Sequence, residues 1–157
     1  MRRRLLTVLC SVLLCAPLLA NADSGSNSSD SPWDQQANPE QVKADYDAGY
    51  RQLKAGEYKD AIKAFKRVVK ADPKHGMAYT NMAYSYRKLG KYDTAITLYS
   101  RALEIDPKLA EAHEYMGEAQ LALGNLEEAK KHLAILEQLD PKLAGDLRAS
   151  IVRQGRS

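Results

Sequence analysis

Large apolar, small and polar positions recur along this chain in a pattern that returns every 34 residues. Gly56, Gly90 and Gly124 share the interval, as do Ala61, Ala95 and Ala129, and again Pro73, Pro107 and Pro141. Tyr58 and Tyr92 keep it with Leu126 in the third slot, and Phe65, Tyr99 and Leu133 follow the same spacing. Within one interval the apolar residues twice fall at helical spacing. Met77, Tyr79, Met82, Ala83 and Tyr86 mark one helix, with Arg87 and Lys88 closing its last turn. Ala95, Ile96, Tyr99, Ala102 and Leu103 mark a second. Gly90 stands between them, where a residue without Cβ takes the left-handed conformation that ends a helix. Pro107 cannot continue the second helix. Small Ala83 and Ala95 predict a close approach of the two helices. A repeat of this length is the mark of stacked helix pairs.

The ends of the repetitive region carry their own signals. Asn38-Pro39-Glu40-Gln41 predicts a helix start, with Asn38 as cap, Pro39 in the first turn and Gln41 reaching back to the cap. Leu143, Leu147 and Ile151 fall four apart and predict a last helix over 143–153. Such a helix, apolar inside and polar outside, shields the open end of a stack from water.

These units resemble tetratricopeptide repeats. The family's spaced pattern appears in 42–75 through Ala48-Gly49, Gly56, Tyr58, Ala61, Phe65, Val68 and Pro73. In 76–109 it appears through Tyr79, Met82-Ala83, Tyr86, Gly90, Tyr92, Ala95, Tyr99, Ala102 and Pro107. In 110–143 it appears through His113, Met116-Gly117, Gly124, Ala129, Leu133, Leu136 and Pro141. The resemblance implies an all-α, right-handed α-solenoid of three helix pairs over 38–157, closed by the capping helix.

The first residues read differently. Arg2, Arg3 and Arg4 precede an apolar run from Leu5 to Ala20, and Ala20-Asn21-Ala22 offers the small residues of a cleavage site. That is the layout of a secretory signal peptide over 1–22. An uncleaved anchor is the alternative, but the run falls short of the ~20 apolar residues of a span, and Pro17 interrupts it. Residues 23–37, rich in Ser, Asn, Asp and Gln, hold too little apolar surface to order and read as a leader carrying Trp33. The expected location is periplasmic or secreted.

Cleavage changes the charge. The three arginines of the signal account for the whole formal +3 of the chain. The mature protein is neutral, so the basic isoelectric point of the full chain is no pointer to nucleic acid or anionic membrane. Both cysteines, Cys10 and Cys15, leave with the signal, and no thiol or disulfide chemistry remains.

No catalytic motif emerges. His113-Glu114-Tyr115-Met116-Gly117 opens like a metalloprotease helix, but Gly117 stands where the second histidine belongs. His75, His113 and His132 share no helix turn, so no metal is expected, and His113 fills a packing slot. Neither an enzyme nor a cofactor is expected.

What remains is surface. In the resembled family the first helices of each pair line a concave groove that holds protein or peptide partners. The corresponding slots are Lys43, Tyr46, Tyr50, Leu53 and Lys54 in the first repeat, and Met77, Thr80, Asn81, Tyr84, Arg87 and Lys88 in the second. The third contributes Glu111, Glu114, Tyr115, Glu118 and Leu121. The groove is thus expected to run from basic and aromatic to acidic. Family members that clamp the C-terminal carboxylate of chaperone peptides carry Lys, Asn, Asn, Lys and Arg at five of these slots. Here they read Tyr46, Tyr50, Asn81, Glu111 and Tyr115, and Glu111 would repel a carboxylate. Two functions stay open: an exported adaptor that binds an extended partner, or a structural subunit that stacks with itself in an envelope assembly.

The exported protein should begin at Asp23. Intact-mass measurement checks this: a mass retaining Met1–Ala22 rejects cleavage.

Overall fold

Every helix pair turns on a glycine. Gly56, Gly90 and Gly124 have φ of +79°, +75° and +80°, backbone that a side chain would strain. The computed structural model describes residues 38–155. The expected signal, leader and Trp33 lie outside the described residues. Among the described residues there are seven helices and no strand. They are α1 (Pro39–Lys54), α2 (Tyr58–Ala71), α3 (Gly76–Lys88), α4 (Tyr92–Ile105), α5 (Ala110–Ala122), α6 (Leu126–Leu139) and α7 (Pro141–Gln154). No helix among them is long and apolar enough to cross a membrane.

The order of packing follows the order of the chain. Helices α1 and α2, α3 and α4, and α5 and α6 form antiparallel pairs, and each pair leans on the next through α2 on α3 and α4 on α5. The first helices also meet directly, α1 on α3 and α3 on α5. The result is an all-α solenoid. Its starting cap is made as expected: the Asn38 side chain accepts the Glu40 N–H at 3.0 Å, and Pro39 needs no partner there. Gln41 does not reach back to Asn38. It donates instead to Asp45, whose carboxyl is held below its usual range chiefly by Arg67.

The corners between pairs show a device the hydrophobic pattern concealed. Asp72, Asp106 and Asp140 each accept the N–H of the residue two further on, at 3.0, 2.9 and 2.9 Å. These Asp-Pro corners keep the same spacing as the glycines. They satisfy backbone donors that the preceding proline turn would otherwise leave open. Asp140 also accepts from Leu143 N–H at 3.2 Å and so caps α7. At the first corner His75 takes the capping role, its Nδ1 accepting Ala78 N–H at 3.2 Å.

The interior is held at very short range. Ala61, Ala95 and Ala129 are fully buried, as are Phe65, Tyr99, Leu136 and Leu147. A Cβ added at Gly49 would lie 2.9 Å from the Phe65 ring, and one at Gly117 only 2.6 Å from a Leu147 methyl. The equivalent residue in the middle pair, Ala83, is itself fully buried. Met82, Ala95 and Tyr99 of the repeat pattern lie inside the core, whereas Leu103, Met116 and Leu133 sit half-buried at its edges.

Four residues expected in the groove are largely buried, Thr80, Asn81, Glu114 and Leu121, and two of them turn away from it. Thr80 is fully buried, and its hydroxyl donates to the Gly76 carbonyl at 3.1 Å. Leu121 belongs to the last apolar cluster, with Ala129, Leu136, Ala144 and Leu147. Helix α7 begins at Pro141, two residues before the expected start, because Asp140 caps it there. It covers both α5 and α6, burying Ala144 and Leu147.

Three substitutions read this packing. Gly117→Ala and Ala95→Leu should each lower stability by ~1–3 kcal/mol, since neither site has room for an added group. Gly145→Ala, where a Cβ meets nothing within 4 Å, should raise stability by ~0.5–1 kcal/mol through better helix propensity. Denaturant melts decide it: equal stability of the Gly117 and Gly145 variants would reject the close contact.

Candidate functional site: the concave face

Stacking brings side chains from α1, α3 and α5 into one surface. Tyr50 on α1 is exposed at 45 %, stacked on Tyr46 with ring centres 6.5 Å apart. Tyr84 on α3 lies 6.5 Å from Tyr58 and 4.9 Å from Tyr115 on α5. Together Tyr50, Leu53, Lys54, Tyr58, Asn81, Tyr84 and Tyr115 line a cavity of about 260 Å³. Four tyrosines from three helix pairs thus share one opening. Tyr58 was not foreseen there. It starts a second helix, and its 34-residue match with Tyr92 points to a packing role rather than to the groove.

Other expected residues are already engaged. Tyr46 is half-buried, 4.9 Å from the His75 ring and 5.7 Å from Phe65. Its hydroxyl accepts a hydrogen bond from the Asn81 amide at 3.0 Å, and burial pushes its phenol up. Lys43 pairs with Asp47 at 2.6 Å and lies with Tyr46 along a separate cavity of about 450 Å³ beside His75. Met77 is half-buried.

Arg87 is the most committed residue of the surface. Its guanidinium lies over Tyr84 at 5.0 Å and Tyr115 at 5.5 Å, and it binds Glu118 at 2.8 Å. The sequence placed these two charges in the basic and the acidic parts of the groove. Instead they meet, because α3 and α5 are neighbours. Lys54 and Lys88 remain exposed, with Lys88 6.0 Å above Tyr84. Glu111 is exposed as well. Glu114 is 8 % exposed, and its carboxyl is pushed up to about 7 by burial first, then by Glu118 and Asp146. Burial, with Glu114 next, pushes the Tyr115 phenol up to about 12.

The histidines of the third pair form a structure of their own. His113 is buried, with Nε2 3.0 Å from the Pro107 carbonyl and Nδ1 3.0 Å from His132 Nδ1. A carbonyl only accepts, so His113 donates through Nε2 and accepts at Nδ1, and His132 donates to it. With both rings protonated neither Nδ1 could accept, and the bond would be lost. Burial and His113 hold His132 down at about 4. Among the described residues no three His, Cys, Asp or Glu side chains come together as a metal site.

An all-α solenoid with a tyrosine-lined concave face is the architecture of a repeat protein that binds other proteins. Models described as tetratricopeptide repeat match residues 64–97 and again 43–75 and 111–142, and one described as TPR repeat matches 83–124. The chain belongs to the tetratricopeptide repeat family. Among solved structures, it is similar to the first such domain of Spaghetti (RPAP3) bound to the HSP90 peptide SRMEEVD. Identity is 26 %, TM-score 0.71, with 78 % of this chain and 99 % of that one covered. The second such domain of human RPAP3, in complex with the HSP70 peptide SGPTIEEVD, is 30 % identical with a TM-score of 0.66 over 72 % of this chain and 96 % of that one. The Yersinia enterocolitica type III secretion translocator chaperone SycD shares the fold at 22 % identity and TM-score 0.69, covering 75 % of this chain and 86 % of its own. No curated protein matches the chain by sequence.

The two displaced groups give stability opposite pH dependence. His132 is lowered in the folded state, so its contribution is present above about 6.5 and lost as pH falls through about 4. Glu114 is raised, so its contribution is present below about 4.5 and lost as pH rises through about 7. His132→Gln should therefore lose less stability than the parent between pH 6.5 and 4. Glu114→Gln should lose less between pH 4.5 and 7. Thermal melts across pH 4–8 check both; unchanged slopes reject the two environments.

Proposed function

We propose that this protein is an exported binding module that holds an extended peptide segment of a partner protein along its concave face. The observation that carries the reading is the joined tyrosine surface of Tyr50, Tyr58, Tyr84 and Tyr115, which no single repeat could make. Tyrosine rings offer rigid amphipathic area at low entropic cost, suited to covering apolar side chains while the hydroxyls stay wet. Two similar domains are bound to peptides, which supports the class of ligand. Their peptides end in acidic residues. The slots that read Tyr46, Tyr50, Glu111 and Tyr115 here favour a different sequence, and Asn81 is occupied by Tyr46. The N-terminal segment supports export, which would make the partner a protein of the envelope or the exterior.

Extended peptides selected from a random display library against the full chain provide the probe. Tyr84→Ala should weaken the selected peptide about 30-fold, the equivalent of a central ~2 kcal/mol anchor, chiefly by faster dissociation. Changing Lys66 and Lys70 on the outer helix α2 to Glu should leave affinity within about twofold. Equal affinities for parent, Tyr84→Ala and the α2 variant would put the contact outside the groove.

A further inference from the structure

Six polar or charged side chains are buried among the described residues: Thr80, Asn81, Ser85, His113, Glu114 and Gln120. Five have a hydrogen-bond partner. Thr80 donates to Gly76, Asn81 to Tyr46 and Ser85 to the Asn81 carbonyl, while His113 has Pro107 and His132, and Gln120 accepts from Asn125. Glu114 alone has neither a hydrogen bond nor an ion pair, although it is more than nine-tenths buried. Its oxygens are not among the fully enclosed unpartnered atoms, so they keep a path to solvent. A largely buried carboxyl that only water can serve is costly to ionise.

The surroundings deepen the anomaly. Glu114 is faced by Glu111 and Glu118 from its own helix α5, by Asp146 from α7, and by Arg87 from α3. The phenol of Tyr115 is adjacent and feels the same carboxyl. Arg87 is the sole cation acting on Glu114 among these groups, and Glu118 holds it at 2.8 Å while two tyrosine rings flank it. Arg153 lines a cavity with Arg87 and Glu118, and Glu114 is not part of that lining. One engaged arginine therefore stands among four carboxylates. The site lacks a positive charge, and it lies next to the last ring of the tyrosine surface.

We propose that Glu114, with Asp146 and Glu111 beside it, is the receptor for one lysine or arginine side chain of the bound peptide. This rests on the groove reading above and orients the partner: its apolar residues over Tyr84 and Tyr115, its cation toward α7. A cation arriving at Glu114 supplies the missing donor and cancels the repulsion from Asp146 and Glu118. It also displaces a proton, because burial and those neighbours keep part of the free carboxyl neutral near pH 7. Binding should then release up to one proton, and affinity should rise with pH by at most about tenfold per unit below 7.

The probes are two blocked tetrapeptides, acetyl-Ala-Tyr-Lys-Ala-amide and its analogue with norleucine for lysine. Each is titrated into the full chain while NMR follows the Glu114 carboxyl carbon and the Tyr84 and Tyr115 rings. The lysine peptide should lower the Glu114 titration midpoint and bind at least about fivefold tighter at pH 8 than at pH 6. The norleucine peptide should do neither. Glu114→Gln should bring the two peptides to equal affinity, and Asp146→Asn should narrow the difference between them. Equal affinity of both peptides for the parent, or an unmoved Glu114 midpoint at millimolar lysine peptide, overturns the receptor. Affinity that falls as pH rises would show a protonated carboxyl donating to the partner's backbone, and overturns it too. The groove reading fails separately, if neither peptide moves the Tyr84 and Tyr115 signals.

Discussion

The structure depends on how closely two helices of a pair can approach. Ala61, Ala95 and Ala129 are fully buried at that contact, Gly49 has no room there even for a methyl group, and Gly117 has none against Leu147 of α7. Small residues there let Phe65, Tyr99 and Leu136 drop fully into the space that remains. The left-handed glycines and the Asp-Pro corners set the chain direction that makes the approach possible. Enlarging one contact would shift the angle of its pair, and every later pair would move with it.

The concave face is a consequence of that geometry. Because α1, α3 and α5 lie side by side, groups far apart in sequence come within bonding distance. Asn81 reaches Tyr46 across one junction and Arg87 reaches Glu118 across the next. Tyr84 sits between them, shared by Tyr58 on one side and Tyr115 on the other. The surface is therefore largely tied together before any partner arrives, and rigidity of this kind lowers the entropic cost of binding.

Much of the fold was legible in the sequence, because glycine, alanine and proline act there through backbone conformation and volume, which are properties of single residues. The Asp-Pro corners were equally regular but went unread, since attention to apolar positions passes over aspartates. The site was less legible. Thr80 and Glu114 hold the same slot of successive repeats, yet one bonds its own helix and the other finds no partner. Which outcome occurs depends on the neighbouring helix, and no local pattern encodes it. Arg87 and Glu118 were both recognised as surface charges, but their pairing is a fact of the junction between repeats.

Nine tyrosines spread over the solenoid allow its faces to be compared in one experiment. Hydroxyl-radical footprinting of the full chain, free and bound to a selected peptide, reads the change at each ring. Binding along the concave face predicts protection of Tyr50, Tyr84 and Tyr115, with Tyr79, Tyr86 and Tyr92 unchanged among the apolar residues they pack against. Protection of Tyr79, Tyr86 or Tyr92 with Tyr50 and Tyr84 still open would contradict it.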